Sequence, residues 1–224
     1  MDWIWLIGCL LISYLLGSIP FGFLTALLVS GVDIRTQGSG NIGATNVGRV
    51  IGWKWFFVVL VFDFLKGFGP ALVVPWLLNP EQLPGLSAAT IAVMAGVSAM
   101  AGHLWPIYLH FRGGKGVGTG LGVVVALSVY SSWWPVAAAV LTFIILVALT
   151  RYISLASIVG AFVYGGLQLA LMDDLFQAEN WGIVLLCLFG PVLVLWRHRQ
   201  NVVRLWEGTE SKIGKKTSNP ASAG

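Results

Sequence analysis

Three short stretches of this chain concentrate side chains that can hold a phosphate. The first, Gly38 to Arg49, offers Ser39, Asn41, Thr45 and Asn46 as neutral hydrogen-bonding groups. They are spaced by Gly38, Gly40 and Gly43 and followed by the guanidinium of Arg49. The second runs from Gly102-His103 through Pro106 to Arg112-Gly113-Gly114-Lys115-Gly116, with Thr119 one helical turn after Lys115. The third carries Arg197, His198, Asn201 and Arg204. Glycine lets the backbone come close and aim successive N–H groups at an anion, and a helix N-terminus adds favourable potential. Arginine grips two phosphate oxygens with its fork, whereas lysine acts as a point charge. His198 and Asn201, three apart, share a face if the last helix continues through them. Ser154 and Ser157, just after Arg151, add two hydroxyls. Two separate cradles predict two phosphate groups, or one that is passed along.

Two familiar phosphate loops are excluded. Gly38-x-Gly40-x-x-Gly43 has the letters of a dinucleotide fingerprint, but that pattern has force only between a strand and a helix of a βαβ unit, which this chain does not offer. Gly113-Gly114-Lys115-Gly116 falls short of a Walker A loop, because glycine stands where Ser or Thr must follow the lysine. The expectation is a phosphate site with no nucleotide and no nucleic acid.

The elements that must position these groups are membrane helices. Of 224 residues, 57% are hydrophobic and 10% charged, against about 25% charged in a soluble domain. The 11 Trp suit a chain with two membrane–water interfaces. About 20 apolar residues cross a bilayer. On that measure Trp3–Val29, Trp53–Leu78 and Leu86–Leu109 are spans, the first softened at Gly17-Ser18-Ile19-Pro20. The run Val117–Leu149 is too long for one span and divides near Ser131–Pro135. Ile153–Met172 and Trp181–Trp196 complete an expected seven, in an all-α integral membrane protein. With seven spans, Arg35, Arg49, Lys54, Arg112, Lys115, Arg151 and the C-terminal cations fall on one side, and the loops 79–85 and 173–180 on the other contain no Lys or Arg. The positive-inside rule then puts the N-terminus outside, the C-terminus in the cytoplasm and all three polar stretches on the cytosolic face. Residues 1–206 read as one catalytic membrane domain and 207–224 as a frayed cytosolic tail.

Plainer roles stand beside these. Glycines in membrane helices also serve close packing. Arg35, Lys54 and Arg151 can be topology markers, His103 a packing histidine, and His198 a juxtamembrane cation. Asp63 and Lys66 lie deep in the second span, where an unpaired charge is costly. Two roles are open: a structural pair at i and i+3, or Lys66 reaching a substrate phosphate. Cys9 and Cys187 have no metal-ligand spacing.

The runs Gly38–Arg49, Gly102-His-x-x-Pro106 with Phe111-x-Gly-Gly-Lys-Gly-Val117, and His198-Arg-x-Asn201 with Arg204-Leu-x-x-Gly-Thr-Glu210 resemble the three signature motifs of one family. It is the bacterial acyl-phosphate:glycerol-3-phosphate acyltransferase family, PlsY, and the resemblance spans nearly the whole chain. It implies transfer of a fatty acyl group from acyl phosphate to the 1-hydroxyl of glycerol 3-phosphate. The products would be 1-acyl-glycerol 3-phosphate and phosphate, the first step of phospholipid synthesis, made at the cytoplasmic (inner) membrane. Carried over, Ser39, Gly40, Asn41, Gly43, Thr45 and Asn46 would hold the acyl phosphate. Arg49, Lys115, Ser154, His198 and Asn201 would line the glycerol 3-phosphate side, and Ser39, Arg49, Lys115, His198 and Asn201 would serve catalysis. Lys66, His103, Gly113, Gly114, Gly116, Ser157 and Arg204 are further candidates, and Glu210 would tie the tail to the bundle. Arg112 and Gly118 depart from the usual lysine and alanine without removing a donor or a charge.

The implied partners are the two substrates, the lipid bilayer and a soluble enzyme supplying acyl phosphate, with a monomer as a workable state. No cofactor and no metal are expected, and activity should survive EDTA. The His-x4-Asp pair of acyl-CoA-type enzymes is missing: five residues beyond His103, His110 and His198 stand Tyr108, Lys115 and Val203. A rival class is a small anion transporter, which needs polar groups lining a path through several spans and roughly symmetric halves. Only Asp63 and Lys66 lie deep, and no internal repeat is visible.

Overall fold

The computed structural model describes residues 2–78 and 80–214. Ten α-helices account for most of them, and no strand occurs among the described residues. The first apolar run is two helices, α1 (Asp2–Ser18) and α2 (Phe21–Ser30). Pro20 has no N–H to carry the ladder across. The carbonyl of Ile19, left at the break, accepts from the Phe21 N–H and from Lys66 Nζ at 3.0 Å. α3 (Ala44–Ile51) is a short amphipathic helix within the first polar stretch, with Val47 buried and Ala44 and Val50 packed against its cluster.

α4 (Trp53–Leu77) and α5 (Ala88–Leu104) follow. The 117–149 run divides as expected, into α6 (Val117–Leu127) and α7 (Trp134–Thr150), the second opened by Pro135 in its first turn. α7 stops where Arg151 turns left-handed at φ 64° and returns its N–H to Val147. α8 (Ile153–Ala170) and α9 (Trp181–Arg197) complete the bundle, and α10 (Arg199–Trp206) leaves it at a kink. His198 therefore sits at a break, with φ −100° and ψ 7°, and not within one continuous helix.

Five stretches are long and apolar enough to cross a membrane: Asp2–Ser30, Trp53–Leu77, Ala88–Leu109, Ile153–Ala170 and Ala178–Arg197. α7 falls just short at 17 residues, and α6 has only 11. At 1.5 Å per residue α6 is about 16 Å long, roughly half a hydrocarbon core. The loop before it packs within the bundle, with Gly114 and Gly116 buried. Irregular backbone inside a membrane bundle is tolerable where it lines a protein cavity, as Lys115 and Gly116 do here.

α1 packs on α5, and α4 on both α5 and α6. A Cβ on Gly17 would strike the Ala99 carbonyl, and one on Gly102 the Tyr14 carbonyl, so these two glycines set the α1–α5 separation. A second group, α7 on α8 and α8 on α9, joins the first through α5 and α9. A cavity separates α4 and α6 from α7, α8 and α9.

Candidate active site

The three polar stretches, far apart in sequence, meet at one end of that cavity. It has a volume of about 1240 Å³. Ser39, Asn41, Thr45 and Arg49 border its head from the first stretch, Lys115 and Gly116 from the second, and His198, Asn201 and Arg204 from the third. Ser154 and Ser157 on α8 join them, with Glu210 and Ser211 from the segment after α10.

Two helices open onto this head behind glycine caps. Gly43 precedes α3 and Gly116, at φ 82°, precedes α6, and neither supplies a capping side chain. α8 also begins there, without a side-chain cap. First-turn N–H groups have no intrahelical partner, so three helix starts direct positive potential at one space. The loop before α3 is held from within. Asn46 accepts from the Ser39 N–H at 2.9 Å and donates to the carbonyls of Gln37 at 2.9 Å and Ile34 at 3.3 Å. Asn41 accepts from the Gly43 N–H at 2.8 Å, leaving its amide nitrogen uncommitted in that turn. Asn46 is thus spent on shaping the loop, while Ser39 and Thr45 remain on the cavity wall.

The second and third stretches are joined by one polar chain. Lys115 Nζ donates to Asn201 Oδ1, and Asn201 Nδ2 donates to Glu210 Oε1 at 2.7 Å. Ser154 Oγ donates to the same oxygen at 2.8 Å, and Arg204 Nε to Oε2 at 2.8 Å. Burial raises the Glu210 carboxyl, but these three donors outweigh it and hold the group below the usual carboxylate range. Lys115 moves the other way: burial, and then Arg204, Arg49 and Arg197, outweigh Glu210 and bring its ammonium down to about 8. Its charge is weakly held until an anion arrives.

His198 is 2% exposed and its Nδ1 lies 2.8 Å from the Val194 carbonyl. A carbonyl can only accept, so Nδ1 carries the proton and Nε2 is the acceptor nitrogen. Burial, then Lys115, bring the imidazole down to about 4.

Behind the head the cavity becomes apolar. Phe56, Phe57 and Leu60 of α4, Leu121 and Val124 of α6, and Val140 and Phe143 of α7 form its walls. Phe57 and Ile144, both lining residues, are 62% and 56% exposed, so the wall between α4 and α7 opens to the outer, apolar surface of the bundle.

Some expected residues stand elsewhere. Gly40 and Gly113 border a smaller pocket with Arg35 and Arg112, on the other side of the loop. Gly114 does not touch the cavity; its N–H bonds to the His103 carbonyl at 3.1 Å, and a side chain there would overlap the His103 ring. Thr119 is fully buried and outside the lining. Lys66 is also outside it: its ammonium is 2.8 Å from Asp63 Oδ1, with His103 Nδ1 3.5 Å from the same oxygen. Of the two roles open to Lys66, the structural pair is the one its surroundings fit.

The expected frayed tail needs correcting in part. Residues 207–214 fold back onto the bundle, with Glu210 8% exposed, Arg49 Nη2 bonded to the Ser211 carbonyl at 3.0 Å and the Ile213 N–H to the Arg151 carbonyl at 2.9 Å. Residues 215–224, the remainder of that expected tail, lie outside the described residues. Sequence reasoning also missed a job for Arg197, which donates to the carbonyls of Gly113 and Gly114 and so steadies the Lys115 loop. Nothing in the spacing of the two segments signals that contact.

An all-helical membrane bundle with a cationic chamber at the head of an apolar one defines a class: an integral membrane protein that handles an amphipathic anion. The comparisons narrow it. Residues 7–208 match the family model for glycerol-3-phosphate acyltransferase. A glycerol-3-phosphate acyltransferase of Desulforamulus reducens is 41% identical over 204 residues, covering 91% of this chain and 93% of that one. One of Shouchella clausii is 41% identical over 211 residues, covering 94% and 97%. A crystal structure of PlsY (YgiH), an integral membrane glycerol 3-phosphate acyltransferase, in its glycerol 3-phosphate form, superposes with a TM-score of 0.79 at 34% identity, over 93% of this chain and 96% of that one. The lysophosphatidic acid form of PlsY gives 0.75 at 35% identity, over 93% and 95%. This chain belongs to the glycerol-3-phosphate acyltransferase family and is a membrane acyltransferase.

Proposed function

We propose that the enzyme moves an acyl group from acyl phosphate to the sn-1 hydroxyl of glycerol 3-phosphate, releasing 1-acyl-glycerol 3-phosphate and inorganic phosphate for phospholipid synthesis. The observation that carries this is the single cavity with a cationic, hydroxyl-rich head and an apolar limb open towards lipid. A donor with a phosphate head and a fatty tail matches both ends. A second, fully polar phosphate substrate matches the head alone. The glycerol 3-phosphate and lysophosphatidic acid forms of PlsY match the acceptor and the acylated product of this reaction and support that half of the reading.

In this reading Ser39, Asn41, Thr45 and the start of α3 receive the acyl-phosphate head, in a loop shaped by Asn46, Gly40 and Gly43. Arg49, Lys115, Ser154, His198 and Asn201 face glycerol 3-phosphate, with Glu210 and Arg204 positioning Asn201 and Ser154. The glycerol oxygen bonds to the acyl carbon, the bond from that carbon to the phosphate oxygen breaks, and phosphate leaves with the bonding pair. Acyl phosphate is a mixed anhydride with a good leaving group, so alignment and neutralisation of the departing charge supply most of what is needed. The hydroxyl proton passes to a substrate phosphate oxygen. His198 Nε2 is the rival acceptor. A His198→Gln variant that binds both substrates normally but does not turn over would favour the imidazole.

We further infer seven crossings, α6 and α7 included, with the head in the cytosol at the inner membrane. The support is that every Lys and Arg outside the second span clusters at the head side of the sequence map. The deciding assay follows phosphate release from palmitoyl phosphate by purified protein in lipid. Release that depends on glycerol 3-phosphate is expected. Release that ignores it, or anion flux into sealed vesicles without acyl transfer, would sink the acyltransferase assignment of these substrates.

A further inference from the structure

The apolar limb of the cavity has a floor. Along α8 the lining passes from Ser154 at the polar head through Gly160 to Tyr164, and no later residue of α8 takes part. Ten residues of helix place Tyr164 about 15 Å below Ser154. Leu186 on α9 and Ala139 on α7 are the deepest lining residues of their own helices, counted from the head. Directly beyond, Val93, Leu127, Ile183 and Cys187 are closed into a core cluster, and Tyr164 belongs to that cluster as well as to the cavity wall. With Val123, which is likewise in both, its ring forms the partition between open limb and packed core. The side chain is 6% exposed, and its hydroxyl has no hydrogen-bond partner among the described residues. Tyr is placed in an apolar interior when its hydroxyl can be satisfied. Here the hydroxyl is unused, so what the position exploits is the length of the ring.

We infer that Tyr164 sets the longest acyl chain the enzyme uses well: the terminal methyl of the donor stops against its ring, with Leu186 and Ala139 completing the floor. Tyr164 is a specificity-determining residue and takes no part in the reaction at the head. The inference rests on the acyl-phosphate reading of the same cavity.

The test compares kcat/KM for lauroyl, palmitoyl, stearoyl and arachidoyl phosphate with purified full-length protein. Tyr164→Phe is expected to keep the wild-type order, since the hydroxyl holds nothing. Tyr164→Ala opens the floor and should raise the arachidoyl-to-palmitoyl ratio several-fold. Gly190→Leu works in the opposite sense. A Cβ built at Gly190 meets only Leu186 Cδ1, itself a wall residue, at 3.7 Å, so a side chain there has room to occupy the limb above the floor. It should favour lauroyl and lower stearoyl transfer roughly tenfold, the lower end of what one misfitting methylene does in an apolar pocket. If Tyr164→Ala does not fold, Tyr164→Leu, which shortens the side chain and keeps it apolar, takes its place and should shift the ratio in the same direction.

An unchanged chain-length profile on shortening Tyr164, with palmitoyl transfer to glycerol 3-phosphate intact, would overturn the ruler and leave the acyltransfer reading standing, whatever Gly190→Leu does. If Gly190→Leu is also without effect, the chain leaves sideways past Phe57 and Ile144 and does not enter the limb. Wild-type protein that transfers from none of the four donors would overturn the acyl-phosphate reading itself.

Discussion

The Asp63–Lys66–His103 group and the Lys115–Asn201–Glu210 group both hold ionisable side chains out of water, on plans that differ in one respect. In the first, the Lys66 ammonium has Asp63 at 2.8 Å and the Ile19 carbonyl at 3.0 Å, so one cation meets one anion and a backbone acceptor. It ties the broken first span to α4 and α5, with the Lys66 ammonium away from the cavity that Asp63 and His103 border. In the second, Glu210 is already occupied by Ser154, Asn201 and Arg204, and Lys115 reaches it only through Asn201. Arg49 and Lys115 remain in excess at the cavity head. A cation matched to its anion supports the fold, whereas the head of the cavity has a deficit of negative charge, which is the property the proposed phosphate substrates would use.

The largest effect that could break this contrast is on stability. Lys66→Met leaves Asp63 buried without its cation, and removing one partner of a buried pair costs about 3–5 kcal/mol. A clear fall in thermal midpoint in detergent is expected, with much of it recovered by adding Asp63→Asn. Should Lys66→Met keep its midpoint but lose affinity for glycerol 3-phosphate, Lys66 would be a ligand and the two clusters would not differ in kind. Lys115→Met is the converse. Its kcat/KM for glycerol 3-phosphate should drop about a hundredfold or more, the scale of one lost charge-stabilising donor. Its thermal midpoint should hold or rise, because a cation that burial disfavours has been removed.

Glu210→Gln is expected to be milder. The amide keeps the contacts with Asn201 and Ser154 but weakens each, at about 1.5 kcal/mol or roughly tenfold in kcat/KM. An unchanged kcat/KM would show that Asn201 needs no carboxylate to hold it. The smallest effect sharpens the contrast through pH. Lys115 loses its proton near pH 8 in the free enzyme, so KM for glycerol 3-phosphate should rise above that pH, by at most tenfold per unit. Bound phosphate restores the proton, so kcat holds to higher pH than kcat/KM. His198 is neutral down to about pH 4, so the acid limb should follow the substrate's second phosphate ionisation near pH 6. A KM flat to pH 10 would mean that Lys115 carries no share of the anion.

Much of this was legible from residue types. The glycine-rich run 38–49, the Gly113–Gly116 loop and the pair His198 and Asn201 could be assigned to one site because basic residues sort by side in a membrane protein. The division of 117–149 was visible in Ser131-Ser132-Trp133-Trp134-Pro135. What stayed hidden depends on distance. Nothing local marks that Asn46 spends its amide on the Ile34 and Gln37 carbonyls, or that Arg197 braces the Lys115 loop. The α3 helix was missed because its apolar pattern is brief and lies within a stretch rich in glycine and amides. α6 begins at Val117 as expected but stops at Leu127, a few residues before the expected break, where Ser128 bonds back to the Val125 carbonyl. Tyr164 looked like any aromatic residue in a span, since only the packing of α7, α8 and α9 ends a cavity at its ring.

Glu210 lies beyond α9 and α10, yet it joins Ser154 to Asn201 and fixes the partner of Lys115. The polar chain is therefore not closed until the segment after α10 is in place. During synthesis every helix of the bundle can insert while Ser154 and Asn201 still lack their common acceptor, and a chain stopped anywhere before Glu210 would carry both cradles without the tie between them. The segment after α10 thus acts as a clasp: without it both cradles would be present but not held in one arrangement.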